Sequence, residues 1–63
     1  MIVKLEALSE RGLQVGYDIK FLKKGQVVTA DFGVLGVKLK FANVWTHDID
    51  YKTIEKYFKV FGQ

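Results

Sequence analysis

Large apolar side chains occupy every second position from Leu13 to Phe21: Leu13, Val15, Tyr17, Ile19 and Phe21 alternate with Gln14, Gly16, Asp18 and Lys20. A period of two sustained this long predicts a half-buried strand. Upstream, Val3, Leu5 and Ala7 alternate with Lys4 and Glu6 as a first strand. Between them, Ser9-Glu10-Arg11-Gly12 is a short polar connection ending on glycine, where a turn needs positive φ, and it predicts a hairpin. Lys23-Lys24-Gly25 repeats the arrangement ahead of a third strand, Gln26 to Phe32, with Val28, Ala30 and Phe32 inward and Val27, Thr29 and Asp31 outward. Gly33-Val34-Leu35-Gly36 reads either as a loop or as a bend inside one long strand. Val37, Leu39 and Phe41 then form one face of a fourth strand and Lys38 and Lys40 the other. Ala42-Asn43 breaks the phase, so Val44-Trp45 is a bulged continuation or a short fifth strand.

After Thr46 the period changes to 3.6. Ile54, Tyr57, Phe58 and Phe61 fall at helical spacing, with Tyr51 at the margin, and Lys52, Lys56 and Lys59 share the opposite side. Asp50 suits the N-cap, where a carboxylate accepts otherwise unpartnered backbone N–H groups, and Ile49 and Ile54 stand at the positions of a hydrophobic staple. The helix is predicted from about Asp50 to about Phe61. The expected fold is α+β and mainly β: an antiparallel meander of four or five strands with one C-terminal amphipathic helix. Short connections favour pairing of sequential neighbours. With Gly16, Gly33 and Gly36 available for bending, the sheet is either open or curled into an SH3-like partial barrel. Small chromatin-associated SH3-like barrels share that plan, a likeness of architecture that carries no residues across.

A chain of 63 residues that is 49% hydrophobic makes a single small domain, spanning 1–63. It has no cysteine and one histidine, His47, which excludes disulfides and a multi-histidine or thiolate zinc site as staples and leaves the aromatic core or self-association to supply stability. Lys4 and Glu6 interrupt the first apolar stretch and no run approaches the roughly 20 apolar residues of a membrane span, so neither a signal peptide nor an anchor is expected. Lack of cysteine is compatible with a reducing compartment, and the expected location is cytoplasmic.

Chemistry-bearing clusters are few. His47-Asp48-Ile49-Asp50 joins an imidazole to two carboxylates, a combination that can ligate a metal or share a proton, but acidic residues also belong at a helix N-terminus for capping. Ser9 has no base nearby in sequence, and a nucleophile requires one. Asp31-Phe32-Gly33 spells a kinase metal-binding tripeptide in a chain far too short to hold the other kinase parts, and the glycines match no phosphate-binding loop. No catalytic residue, cofactor, metal or small-molecule substrate is expected, and the chain is not read as an enzyme.

Ten Lys or Arg against seven Asp or Glu leave a net charge of +3. That sign fits nucleic acid, although many soluble domains carry as much for solubility. Lys20, Lys38 and Lys40 project from the non-core side of strands and Lys23 and Lys24 from a hairpin tip. They form one basic surface if the strand carrying Lys20 approaches the strand carrying Lys38 and Lys40, and two separated groups in a flat meander. Trp45, just after the phase break, either plugs the sheet or stands beside those lysines as a base-stacking ring. Tyr17, Phe21, Phe32, Phe41, Tyr57, Phe58 and Phe61 fall on faces assigned to the core. The outer apolar residues Ile2, Leu8, Leu22, Val27 and Val34 are candidates for a protein interface. The first expectation is thus a non-enzymatic protein-interaction or regulatory domain that self-associates. The alternative is a small nucleic-acid-binding domain using Lys20, Lys23, Lys24, Lys38, Lys40 and Trp45.

Overall fold

A computed structural model describes residues 1–61. The alternating segments become strands β1 (Ile2–Ala7), β2 (Arg11–Val15), β3 (Asp18–Leu22), β4 (Val27–Phe32), β5 (Val37–Phe41) and β6 (Val44–Trp45). Helix α1 (Tyr51–Tyr57) and strand β7 (Phe58–Val60) complete the order. The fold is mainly β and antiparallel with one helix near its C-terminal end, as the periodicity predicts. One sheet has five strands in the order β6-β5-β4-β1-β7, and β2 and β3 form a second sheet alone. With edges at β6 and β7, the larger sheet is not a closed barrel. No helix among the described residues is long and apolar enough to cross a membrane.

The stretch from Leu13 to Phe21 is not one strand but a hairpin, turned at Gly16-Tyr17. Gly16 has φ +63°, the positive value that a first central hairpin position reserves for glycine. A two-residue turn pairs odd positions of β2 with even positions of β3, for example Val15 with Asp18 and Leu13 with Lys20. Side chains opposite one another share a face. The apolar parity therefore flips at the turn: Val15 is buried and Leu13 half-buried, whereas Tyr17, Ile19 and Phe21, expected in the core, are exposed. Leu22 takes the inner side with essentially no exposure, which corrects its assignment to an outer interface.

Because β2 and β3 satisfy each other, β1 does not form a hairpin with β2. It lies between β4 and β7, with Leu5 opposite Val28 on one side and Val60 on the other. Gly12 is accordingly an in-strand residue of β2 opposite Phe21 and not a turn residue. The other ambiguities resolve at turns. Gly33–Gly36 is a four-residue loop closed by the Gly33 N–H donating to the Gly36 carbonyl at 2.9 Å. Ala42 and Asn43 both have positive φ, the backbone of a type I′ turn, so Val44-Trp45 is a separate short strand.

The C-terminal segment splits. Asp50 caps α1 as expected, its carboxylate accepting from the Thr53 N–H at 3.0 Å. The helix stops at Tyr57, however, and Phe58 turns extended and enters β7 opposite Ala7. Hydrogen bonds from a whole strand edge of β1 outweigh one further helical turn, and Phe58 remains buried either way. Phe61, assigned to the core, is 47% exposed, and Tyr57 is half-buried. Leu5, Ala7, Leu22, Val28, Ala30, Val37, Leu39, Ile54 and Phe58 form the core, joining hairpin, sheet and helix in one cluster.

Candidate nucleic-acid interface

Strand pairing places side chains in rows on the outer face of the five-stranded sheet. Trp45 lies opposite Lys40, Lys40 opposite Thr29 and Thr29 opposite Lys4, so one row runs across four strands. The next row holds Lys38, Asp31 and Ile2. Both carboxylates among these strands are engaged within the chain: Asp31 accepts from the Met1 ammonium at 3.1 Å, and Glu6 lies 3.8 Å from the Lys59 ammonium. Lys4, Lys38 and Lys40 have no ion-pair partner among the described residues. Lys40 instead holds its ammonium 5.7 Å from the centre of the Trp45 ring, within cation–π range.

Beside this face a groove of about 400 Å³ is lined by Lys20, Phe21, Gln26, Val27, Val28, Thr29, Lys40, Phe41 and Ala42. Its cause is the topology. Among the described strands β3 pairs only with β2, and β5 pairs with β4 only from Thr29 onward, so Lys20 and Phe21 of β3 and the start of β4 are left lining a gap. The register turns Lys20 to the face of Leu13 and Leu22, which corrects its expected place on the non-core side, and there it lines the same groove as Lys40. No carboxylate or imidazole lines it. Lys23 and Lys24 stand outside the lining, in the turn whose Gln26 N–H donates to the Lys23 carbonyl at 3.0 Å. Trp45 is 38% exposed, neither plugged into the core nor fully free.

Phe21 is a candidate site residue that the alternation hides. The residue is 73% exposed and its ring lies against Gly12, where a Cβ would come within 3.1 Å of Cε1. The missing side chain at Gly12 leaves room for the ring, and most of the residue faces solvent. The signal was Gly16 inside the strand pattern, which marks a turn as readily as a bulge. Lys4, placed by the register in the Trp45 row, was legible only once β1 was known to pair with β4.

The candidate interface residues do not form one patch. Ile2 and Val34 lie toward one end of the β1–β4 pair and Leu8 and Val27 toward the other, with Lys4 and Thr29 between. Val27 is half-buried in the groove, and Val34 is almost fully exposed at a loop tip.

Asp50, from the His47 cluster, is committed to the helix cap. Its hydrogen bonds from Thr53 hold the carboxyl below its ordinary value. His47 and Asp48 are exposed, and no three His, Cys, Asp or Glu side chains converge among the described residues. On the opposite side of the hairpin, Arg11 lies 3.8 Å over the Tyr57 ring and, with Lys56, holds that phenol below its ordinary value. Comparison with protein-family models, curated proteins and solved structures finds no match for this chain.

Proposed function

We propose that this chain is a non-enzymatic nucleic-acid-binding domain, built as an open SH3-like barrel and working through the groove and the adjoining sheet face. The observation that carries this reading is the convergence of Lys20 and Lys40 on one groove that Phe21 also lines, with Trp45 beside Lys40 on the adjoining sheet face and the neighbouring Asp31 and Glu6 already engaged. Unpaired ammonium groups meet phosphates, and release of the counterions they displace supplies most of the binding free energy. The groove offers cations for phosphates and rings for bases, which supports a binding role. The test is fluorescence anisotropy of labelled oligonucleotides across a salt series. If Lys4, Lys20, Lys38 and Lys40 meet two to four phosphates of a single strand, log K falls against log salt with a slope of about −1.4 to −2.8. Replacing Lys20 and Lys40 together by glutamate abolishes binding. Weak, salt-insensitive association unaffected by that double change contradicts the reading.

A second reading, self-association, is favoured by β3 itself. Its edge away from β2 pairs with no other strand among the described residues, and its outer face presents Ile19 and Phe21, with Tyr17 at the turn. Two such edges can pair into a continuous sheet, against which Lys20 acts as a guard. Light scattering decides it: a dimer that Ile19→Lys returns to monomer supports this reading, and a monomer at high concentration removes it.

A further inference from the structure

We infer that the nucleic acid taken by this groove is unpaired, its bases stacking on Phe21 and Trp45 while Lys20 and Lys40 hold the phosphates between; this rests on the nucleic-acid reading above. A duplex presents phosphates outward and keeps the faces of its bases stacked against one another, so exposed rings find nothing to lie on. An unpaired strand turns bases and phosphates independently, and base-on-ring stacking is tolerant of sequence because every base has a π face.

The two rings are set for that role in different ways. Phe21 stands across the hairpin from Gly12, whose missing side chain leaves room for the ring, and it is largely exposed where it lines the groove. A side chain on the opposing residue would push the ring away. Trp45 is held on the outer face by pairing with Lys40, whose ammonium covers the ring in the free protein at 5.7 Å. A nucleotide exchanges that contact for two: the base takes the indole face and the ammonium moves onto the phosphate. Lys20 and Thr29 line the groove together with Phe21 and Lys40. The concavity matters as well, because the groove is recessed between a hairpin and a sheet, where a single strand enters more easily than a rigid double helix.

Trp45 is the only tryptophan of the chain, so its fluorescence reports stacking without a label. Oligothymidylate and oligouridylate of about 12 nucleotides, together with a duplex of the same length, are titrated into the full chain at low salt. The expected result is saturable quenching by the unpaired strands, at least about tenfold tighter than the duplex. Quenching by only one of the two oligomers also supports the inference and tells DNA from RNA. Phe21→Ala weakens unpaired-strand binding by about tenfold and leaves duplex binding unchanged, with circular dichroism verifying that the fold survives loss of so exposed a ring. Equal affinity for duplex, or indifference to Phe21→Ala, overturns the stacking inference while the nucleic-acid reading stands. Absence of binding to every oligomer removes both.

Discussion

The Phe21 ring lies over Gly12 across the β2–β3 hairpin, so close that a Cβ on Gly12 would stand 3.1 Å from the ring. The absence of a side chain on Gly12 leaves room for an exposed aromatic ring across the hairpin. Gly12→Ala is expected to shift the ring by a few tenths of an ångström and to change stability by less than about 1 kcal/mol, since strain on a mobile ring is offset by the lower chain entropy of alanine. Affinity for an unpaired strand should nevertheless fall. A denaturant melt and an oligothymidylate titration on the same variant check both halves.

Phe58 and Phe61 separate a buried ring from an exposed one within the same C-terminal stretch. Phe58 sits in the core at 4% exposure, opposite Ala7. Phe58→Ala is expected to cost about 3–5 kcal/mol, the range for deleting a buried phenylalanine. Phe61→Ala should cost under about 1.5 kcal/mol, because half of that side chain is already in water. Urea unfolding of the two variants should place their midpoints far apart; equal losses would contradict the end of the helix at Tyr57.

Gly36 is the position where the backbone leaves no room. Its φ is +151°, and a Cβ there would lie 2.6 Å from the Ile49 carbonyl oxygen, which accepts the hydrogen bond from the Val37 N–H. Gly36→Ala must strain the backbone or break that link, at a cost of about 1–3 kcal/mol. Gly33→Ala meets only an ordinary contact at 3.6 Å and should be much milder. Thermal melts of both variants read the difference.

Asp50 links stability to acid. Hydrogen bonds from Thr53 lower its folded-state pKa, so the carboxylate form is favoured by folding. Its contribution is therefore full above the unfolded-state value of about 4 and is lost as pH falls through the lower folded value. Asp50→Ala should depress the melting temperature near neutrality, and the gap from the parent chain should narrow progressively below about pH 4. A gap that is constant with pH would show that the cap does not act through its charge.

Local rules made much of the fold legible. Alternation found β1, β4 and β5, Asp50 marked the helix start, and the cluster Leu5, Val28, Ala30, Val37, Leu39, Ile54 and Phe58 is the core expected from period and polarity. The prominence of Lys20, Lys38, Lys40 and Trp45 was equally visible, since charge and aromatic character are properties of single residues.

What tertiary structure decided was every relation between distant residues. Alternation records only that neighbours point opposite ways, so it cannot tell a continuous strand from a hairpin whose two-residue turn flips the parity; this one fact moved Phe21 and Ile19 outward and Leu22 inward. Nor does it record which edge accepts which partner. β1 had the edges to take β4 and β7, and competition for those hydrogen bonds ended the helix at Tyr57 although its apolar spacing continued to Phe61. The groove follows from the same competition: it is the gap left where β3 pairs on one side alone, and only there do Lys20 and Lys40 come to share one surface.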